Sequence, residues 1–350
     1  MGDFLQLHLL TAYGPSNLNR DDTGRPKSAV FGGAPRLRVS SQSLKRAWRE
    51  SDVFRSRLDG YLAKRTQRLG QDILQHLSEQ GMPEEDARAT ARAIAGVFGK
   101  IRKEDDSNPA FIEQLAFISP DERERAFALA ERALAGETVE PKPDEALKDV
   151  DTAADIAMFG RMLADAPKFN REAAVQVAHA ITTHGAVAED DYYTALDDLK
   201  SRDEPEDAGA GFVGVQEFGA GVFYLYICVD RGLLLRNLDS AQAVRDASLT
   251  ALVEAAATVG PRGKQASFAS HARALYVLGE KGAQQPRSLA AAFLDPIAGR
   301  EDHGTRSVVA LEDFRDRLDA AYGPCADERC VMNCLAGTGT LADLAGFAVE

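Results

Sequence analysis

A short run, Gly221 to Val229 (GVFYLYICV), limits what this chain of 350 residues can fold into. The run is apolar on both faces and rich in aromatic and β-branched residues, which is typical of a strand inside a sheet. A second segment, Phe4 to Leu10, alternates leucines with polar residues and predicts a strand with one buried face. The sequence therefore predicts a sheet that has Gly221 to Val229 at its centre.

Helical and strand patterns interleave along the rest of the chain. Residues 51–150 are rich in Ala, Glu and Arg and predict an almost wholly helical insertion. Within it, Ser119-Pro120-Asp121-Glu122 supplies a helix cap, a first-turn proline and a capping-box glutamate. Further strands are predicted at Ala173–Thr183 and Ala272–Leu278, and further helices at Ser240–Thr258 and Val308–Ala321. This order favours an α+β fold with an RRM-like or ferredoxin-like core.

The segment from Asn19 to Arg49, the basic segment, stands out by its charge. It holds eight of the chain's 41 Lys and Arg residues but only two of its 54 acids, in a chain of net charge −13. Cations at this density repel one another unless an anion lies among them. The segment also carries glycines and hydroxyl groups, which are common donors to phosphate oxygens. Two interpretations are open: a solvated basic surface, or a binding site for a phosphate backbone.

The end of the basic segment predicts a helix. Ser40 and Ser41 can cap it, and the following apolar residues recur at helical spacing, so their face should meet the core. These residues are Leu44, Ala47 and Trp48. A helix start that meets phosphate also offers its unpaired backbone N–H groups.

The N-terminus and the cysteines bear on compartment and metal binding. MGDFLQLHLL has neither a basic start nor an apolar run long enough for a signal peptide or membrane span, so the expected compartment is the cytoplasm.

Cys228 lies in the apolar run from Gly221 to Val229 and is expected in the core. A structural zinc site is an alternative near the C-terminus. Its ligands would be Cys325, Cys330, Cys334 and His303. Thiols without metal or cofactor are the expectation in a reducing compartment.

Four motifs then follow one another along the chain. They are NRDD…FGG with R-x-R-x-SSQSLKRA in the basic segment, GRM at Gly160–Met162, AHAITTH at Ala178–His184 and QEFGAGVFY at Gln216–Tyr224. In this order they resemble the CasC-type backbone subunit of the type I-E CRISPR surveillance complex, Cascade. The resemblance extends from residue 3 to about residue 280.

The resemblance implies a hand-like, non-catalytic protein that binds CRISPR RNA in antiviral defence. The implied parts are an RRM-like palm (1–50, 151–185 and 218–350), a helical finger insertion (51–150) and a thumb arm (186–217). Several copies are expected to stack along the spacer of the guide RNA and to contact other Cascade subunits. Target DNA is expected to pair with the guide, and no membrane partner is expected.

The resemblance of the motifs implies RNA contacts in the basic segment and in GRM. The expected RNA-binding residues are Arg20, Lys27, Arg38, Ser40, Gln42, Lys45, Arg46, Arg49, Arg161 and Met162. Such a set suits a protein that binds the sugar-phosphate backbone and ignores the bases. Arg161 and Met162 resemble a wedge beside a kinked nucleotide, where an apolar side chain fills the gap left by an unstacked base. In the acid-rich finger, Lys142 and Lys148 are the expected contacts to target DNA.

Asp21 and Asp22 leave a different class of function open. Related backbone subunits of other CRISPR types cleave RNA with an acid, so the alternative is a metal-dependent endoribonuclease that uses these carboxylates. Adjacent acids also cap loops, and pairing with Arg20 or Arg25 is the expected role here. The chain has no G-x-S-x-G, Walker or H-E-x-x-H motif. The two histidines of AHAITTH should face opposite sides of a strand, so packing or hydrogen bonding is expected of them.

Overall fold

The computed structural model describes residues 3–150, 153–195, 212–299 and 302–350. The chain divides into two compact units. The first comprises Met1–Ser51, Val177–Cys228 and Leu252–Glu350, and the second comprises Asp52–Gln176 and Val229–Ala251. The predicted helical insertion lies in the second unit apart from its first residue. The second unit also includes residues 151–176, which the resemblance places in the palm. The middle of the predicted thumb arm, 196–211, lies outside the described residues.

The strands of the described residues are β1 (Phe4–Ser16), β2 (Ser28–Phe31), β3 (Ala34–Val39), β4 (Lys64–Thr66), β5 (Ala116–Ile118), β6 (Val175–Val177), β7 (Ala180–Thr182), β8 (Glu189–Ala195), β9 (Phe212–Asp230), β10 (Ala274–Gly282) and β11 (Glu328–Asn333). The predicted strand at Ala173–Thr183 is therefore two short strands, interrupted at Ala178 and His179.

The α-helices of the same residues are α1 (Ser41–Arg49), α2 (Asp52–Arg57), α3 (Leu69–Glu79), α4 (Glu84–Gly96), α5 (Pro120–Leu134), α6 (Pro143–Ala146), α7 (Ala154–Phe159), α8 (Arg231–Asn237), α9 (Gln242–Thr258), α10 (Gln265–Phe268), α11 (His303–Tyr322) and α12 (Leu341–Val349). Short 3-10 helices occur at Pro167–Phe169 and Ala290–Phe293. Among the described helices, none combines the length and the apolar character that crossing a lipid bilayer requires.

Nine of the described strands form one sheet, in which seven follow the order β11-β10-β1-β9-β7-β3-β2 and the other two, β6 and β8, each pair with β9. The pairs β11-β10, β10-β1, β9-β7, β7-β3 and β3-β2 are antiparallel. The predicted centre of the sheet is confirmed, because β9 is the fourth strand of the seven, and so is the mixed α+β class. β9 starts earlier than predicted since its first part pairs with β8, from Glu189 opposite Phe218 to Ala195 opposite Phe212, in a two-stranded ribbon.

The core of the first unit lies between this sheet and the helices beside it. Its buried side chains come from β1, β9, β10, the Ala290–Phe293 turn and α11. They are Leu10, Val222, Tyr224, Tyr276, Leu278, Leu289, Phe293, Val308 and Leu311. Burial of this many large apolar groups is the main stabilising contribution to such a unit.

A buried ionic network surrounds the carboxylate of Glu280 on β10. Glu280 accepts hydrogen bonds from Arg287 (2.6 Å), Arg329 (2.8 Å) and His8 Nε2 (3.2 Å). Burial alone would raise the pKa of Glu280, but hydrogen bonds from His8 and Arg287 hold the pKa well below its usual range. Burial lowers the pKa of His8. This favours the neutral ring, in which Nε2 donates to Glu280 and Nδ1 accepts from the hydroxyl of Tyr224 (2.9 Å).

The second unit packs α3, α4 and α5 around an apolar core. The predicted start of α5 is confirmed, because the Ser119 hydroxyl accepts from the backbone N–H of Glu122 (3.2 Å) and the Glu122 carboxylate accepts from that of Ser119 (3.0 Å). The expectation of an almost wholly helical 51–150 is wrong around β4 and β5, which pair with each other. A turn lies between α4 and β5, where Asp106 accepts from the N–H of Asn108 (2.9 Å). Asp, Ser and Asn side chains compete with the helix in this way.

Glu280→Gln tests the buried network. The change removes the buried negative charge beside Arg287 and Arg329 and leaves Asp319 as their remaining carboxylate, so the free energy of unfolding should fall by about 3 kcal/mol near pH 7. Since the pKa of Glu280 is lowered in the fold, its contribution is present above the ordinary carboxyl pKa and is lost as the pH falls through the lowered value. Urea titrations at neutral and acidic pH should therefore show a gap from wild type that narrows in acid.

The matched control is Asp144→Asn, which breaks the exposed Asp144–Lys168 ion pair (2.7 Å). Exposed pairs contribute little, so this variant should unfold at nearly the wild-type urea concentration. A Glu280→Gln protein as stable as wild type at neutral pH contradicts the role of the network.

Candidate nucleic-acid interface

The basic segment folds into a loop, the β2–β3 hairpin and α1, and hydrogen bonds join these parts. The N–H of Lys27 donates to the carbonyl of Asn19 (2.8 Å), and the N–H of Arg38 donates to the carbonyl of Lys27 (2.8 Å). The side chain of Asn19 accepts from the N–H of Ser40 (2.8 Å). The loop is thereby held beside the end of β3 and the start of α1.

Helix α1 begins as predicted. The hydroxyl of Ser40 is buried and accepts from the N–H of Ser43 (3.4 Å), so it serves as the N-cap, and only its hydroxyl proton is left for another acceptor. The core-facing residues are those predicted, Leu44, Ala47 and Trp48. The opposite side carries four predicted RNA contacts, of which Gln42 and Arg46 are exposed and Lys45 and Arg49 are partly exposed.

Asp21 caps the loop, but not by the pairing expected from the sequence. Its carboxylate accepts from the hydroxyl (2.8 Å) and N–H (2.9 Å) of Thr23 and from the backbone N–H of Arg25 (3.0 Å). The Thr23 hydroxyl is the main reason why the pKa of Asp21 is lowered. The guanidinium of Arg25 instead binds the carboxylate of Glu217 (2.7 Å). The capping role of Asp21 is confirmed, and its expected partner, an arginine side chain, is corrected to the Thr23 hydroxyl and the backbone amides of Thr23 and Arg25.

Arg36 is not part of the basic surface. Its guanidinium is fully buried and donates to the carbonyls of Thr182 (3.1 Å), Phe293 (2.8 Å) and Phe31 (3.3 Å). The β2–β3 turn packs directly against the backbone of Leu294, because a Cβ on Gly32 would lie 1.6 Å from the carbonyl oxygen of Leu294. One of the eight cations counted in the basic segment thus joins β3 to distant parts of the first unit.

A groove of about 640 Å³, the basic groove, opens beside the loop and α1 in the first unit. Two predicted RNA contacts, Arg20 and Arg46, line it together with Arg262 and with the acids Asp21 and Asp22. The remaining lining residues are Leu18, Asn19, Gly24, Ser43, Ala47, Glu50 and Gly263. The groove thus brings together three guanidinium groups and the three carboxylates of Asp21, Asp22 and Glu50.

Arg262 is the functional candidate that the sequence reasoning missed. It donates to the carbonyl of Glu50 (2.7 Å), whose carboxylate also pairs with Arg46 (2.8 Å). The Arg262 guanidinium also lies 3.7 Å from this carboxylate, so Glu50 is shared by two exposed guanidinium groups. Gly263 lies against the loop, since a Cβ there would be 2.4 Å from the carbonyl oxygens of Asn17 and Leu18. A signal was present, because the sequence has no acid between Glu254 and Glu280.

A second group of cations surrounds His179. Arg38 donates to His179 Nδ1 (2.6 Å), which fixes the ring as neutral with its proton on Nε2. Burial lowers the pKa of His179, and the positive charges of Arg38, Lys27 and Lys45 lower it further. Three predicted RNA contacts thus lie close enough to one another to act on a single ring. An anion bound here would offset the mutual repulsion of these three positive charges.

The GRM motif lies in the second unit and divides into two environments. Met162 is 83% exposed, as a wedge requires. The side chain of Arg161 is only 1% exposed and pairs with the buried carboxylate of Glu122 (2.5 Å). A guanidinium in this position cannot reach a phosphate, so the expected RNA contact at Arg161 is corrected to an internal one.

The expected DNA contacts also differ from each other. Lys142 is exposed, whereas Lys148 is partly buried and its ammonium pairs with Asp121 (2.5 Å).

The zinc alternative gains no support in the parts of the chain that are described, where no group of three or more potential metal ligands occurs. His303 stacks on His184 with 4.2 Å between ring centroids.

Comparisons with known proteins identify the family of this chain. The chain matches the family of CT1975-like proteins over residues 5–346, and it belongs to this family. It is similar to a chain of a solved "CRISPR RNA-guided surveillance complex, pre-nicking", with 30% identity over 99% of each chain and a TM-score of 0.85. A chain of a second "CRISPR RNA-guided surveillance complex" is 25% identical over 97% of this chain and 92% of that one, with a TM-score of 0.61. No curated protein matched the sequence.

These findings confirm the resemblance to a Cascade backbone subunit at the level of the family. The assignment to type I-E stays a prediction.

The contrast between Arg36 and Arg38 can be tested on the protein alone. Arg36→Met leaves several buried carbonyls without a donor, so the free energy of unfolding should fall by about 3 kcal/mol. Arg38→Met is the matched variant on the same strand, and it should change stability by less than about 1 kcal/mol because the side chain reaches the surface. Denaturant titrations check both, and equal losses would contradict the difference in burial.

Proposed function

We propose that this chain is a non-catalytic backbone subunit of a type I-E Cascade complex that binds CRISPR RNA through its sugar-phosphate backbone. One observation carries the proposal. In a chain of net charge −13, the cations of the basic groove and those around His179 lie on the same unit, on and beside one short helix. The whole-length similarity to a chain of a CRISPR RNA-guided surveillance complex supports it.

The chemistry of the site suits a guide of any sequence. Guanidinium and ammonium groups bind phosphate oxygens, which are the same at every nucleotide, and base edges need not be read. The proposed phosphate contacts are Arg20, Lys27, Arg38, Gln42, Lys45, Arg46, Arg49 and the added Arg262. Ser40 can contribute its hydroxyl proton alone. Met162 is proposed as the apolar wedge beside an unstacked base.

The implied parts of the hand follow from the same proposal. The antiparallel sheet of the first unit is the RRM-like palm, the helical part of the second unit is the finger, and the β8–β9 ribbon is the base of the thumb. Copies of the chain line the guide RNA beside other Cascade subunits, and target DNA pairs with the exposed bases of the guide. Lys142 is the finger residue proposed to contact that DNA.

The absence of catalysis is part of the proposal. Thr23 and the N–H of Arg25 donate three hydrogen bonds to Oδ1 of Asp21, an arrangement typical of a loop cap, and this supports a structural role for the residue. Incubating the full chain with end-labelled RNA and Mg²⁺ distinguishes the two functions. We expect retarded, intact RNA. Cleavage at regular intervals that is lost in Asp22→Ala would favour the endoribonuclease instead.

The salt dependence of RNA binding tests the phosphate contacts. If about five phosphates are neutralised per subunit, the logarithm of the binding constant should fall with the logarithm of salt at a slope of roughly −3.5. Arg46→Ala and Lys45→Ala should each weaken binding similarly for unrelated single-stranded RNAs and reduce the slope by about 0.7. Fluorescence anisotropy across a salt series measures both quantities.

The matched control for Arg46→Ala is Arg88→Ala. Each arginine pairs with a glutamate four residues away on an exposed helix face, Glu50 for Arg46 and Glu84 for Arg88. Only the first pair borders the basic groove, so Arg88→Ala should bind RNA as wild type does. An equal loss of RNA affinity in both variants, or an affinity that does not change with salt concentration, argues against the proposal.

His179 provides a local probe of bound phosphate. A phosphate beside Arg38, Lys27 and Lys45 offsets their charge, so the lowered pKa of His179 should rise when RNA binds. By linkage, RNA affinity should increase as the pH falls through the interval between the pKa of the free protein and that of the complex. Histidine NMR titrations with and without RNA measure the shift. His179→Gln should remove this part of the pH dependence, and an unchanged pKa would mean that the RNA lies elsewhere.

A further inference from the structure

The three residues of GRM have separate tasks, and the first is a turn. Gly160 follows the last residue of α7 with φ of 78°, in the left-handed region. A Cβ at this position would lie 3.0 Å from the carbonyl oxygen of Arg171 and 3.2 Å from the Cβ of Ala173. Glycine is the residue that tolerates both conditions. The turn sends the chain from α7 into residues 161–171, the Met162 loop.

Arg161 then fixes the start of this loop to the interior of the second unit. Its guanidinium pairs with Glu122 (2.5 Å) and donates to the carbonyls of Phe117 (3.1 Å) and Phe169 (3.3 Å). The Glu122 carboxylate is fully buried. It belongs to the first turn of α5 and also accepts from the N–H of Lys148 (3.3 Å). A buried pair of this kind is costly to break, because either partner alone is an uncompensated charge.

The other end of the Met162 loop is closed as well. The backbones of Arg161 and Arg171 exchange two hydrogen bonds (3.1 and 2.8 Å). The side chain of Asn170 accepts from the N–H of Leu163 (2.6 Å). Leu163 and Phe169 are buried in the core of the second unit. The backbone on both sides of Met162 is therefore pinned, while the Met162 side chain itself is 83% exposed.

We infer that the Glu122–Arg161 ion pair is a positioning device that holds Met162 in place as a wedge against an RNA base. The inference rests on the proposed function, in which Met162 contacts RNA. Neither Arg161 nor Glu122 touches the RNA. A wedge must stay in place while the base tends to restack, and a contact group that is already held by its supporting residues loses less entropy on binding.

The test compares Arg161→Met with Met162→Ala in the full chain. The first removes the anchor and keeps an apolar side chain, and the second removes the wedge and keeps the anchor. The probe is single-stranded RNA carrying 2-aminopurine at successive positions, whose fluorescence rises when the base unstacks. At saturating RNA, both variants should lose most of that rise. The double variant should lose no more than either one, because both act through one contact.

A second readout does not involve RNA. Hydrogen exchange at the Leu163 and Arg171 amides should accelerate by at least tenfold in Arg161→Met, and it should stay at the wild-type rate in Met162→Ala. Glu122→Gln should accelerate the same amides, which provides a second variant if Arg161→Met does not fold. Wild-type exchange rates in both anchor variants would overturn the inference.

Leu249→Ala is the matched structural control. Leu249 is fully buried on α9 in the same unit and does not belong to the core that contains Leu163 and Phe169, so the variant should lose stability while the contacts of the Met162 loop stay in place. It should keep the fluorescence rise, and a loss equal to that of Arg161→Met would show a merely structural effect and overturn the positioning role. If Arg161→Met keeps the rise while Met162→Ala loses it, positioning is wrong and the proposed wedge stands. If Met162→Ala keeps the rise, the proposed wedge itself is wrong.

Discussion

The buried guanidinium of Arg36 is the contact on which the arrangement of the basic segment depends. It donates to backbone carbonyls of the hairpin turn, of β7 and of the Ala290–Phe293 turn, so it joins three segments that are far apart in sequence. Carbonyl oxygens satisfy its N–H groups without cancelling its charge, and within the described residues no carboxylate pairs with it. The β2–β3 hairpin is thus fixed in place, and with it Lys27 and Arg38 at its two ends.

Folding sorts the cations of the basic segment into different roles. Arg36 is internal, Arg25 is paired with Glu217, and Arg20 and Arg46 border the basic groove. The repulsion expected from the sequence count is therefore partly relieved within the protein. What remains is greatest around His179, where Arg38, Lys27 and Lys45 act together and a phosphate backbone can relieve their repulsion. The number of basic residues in the segment indicated an anion site, whereas their burial and ion pairs in the fold show which of them can contact an anion.

The features that the sequence predicted depend on neighbours a few residues away. The cap at Ser40, the core face of α1, the start of α5 and the central strand are of this kind, and all were confirmed. Arg36 and Arg38 show the limit of such reasoning. They are the same residue type on the same face of one strand, and their different burial is decided by contacts with residues 182 and 293. Arg262 was missed for a related reason, because only the fold brings it beside Glu50.

The GRM motif shows a second limit. A motif match indicates that three residues act together, but it does not say which of them meets the ligand. Burial separates Arg161, which binds Glu122, from Met162, which is exposed, although the two are adjacent in sequence. Motif and structure together give each residue a physical task, and neither does so alone.

The most direct test of the central claim is photo-crosslinking of the full chain to single-stranded RNA that contains 4-thiouridine, with the attached residues mapped by mass spectrometry. We expect crosslinks in the basic segment, near Arg262 and at Met162, with the buried Arg36 and Arg161 left unmodified. Crosslinks confined to other surfaces, such as α11 or the β4–β5 pair, would contradict it.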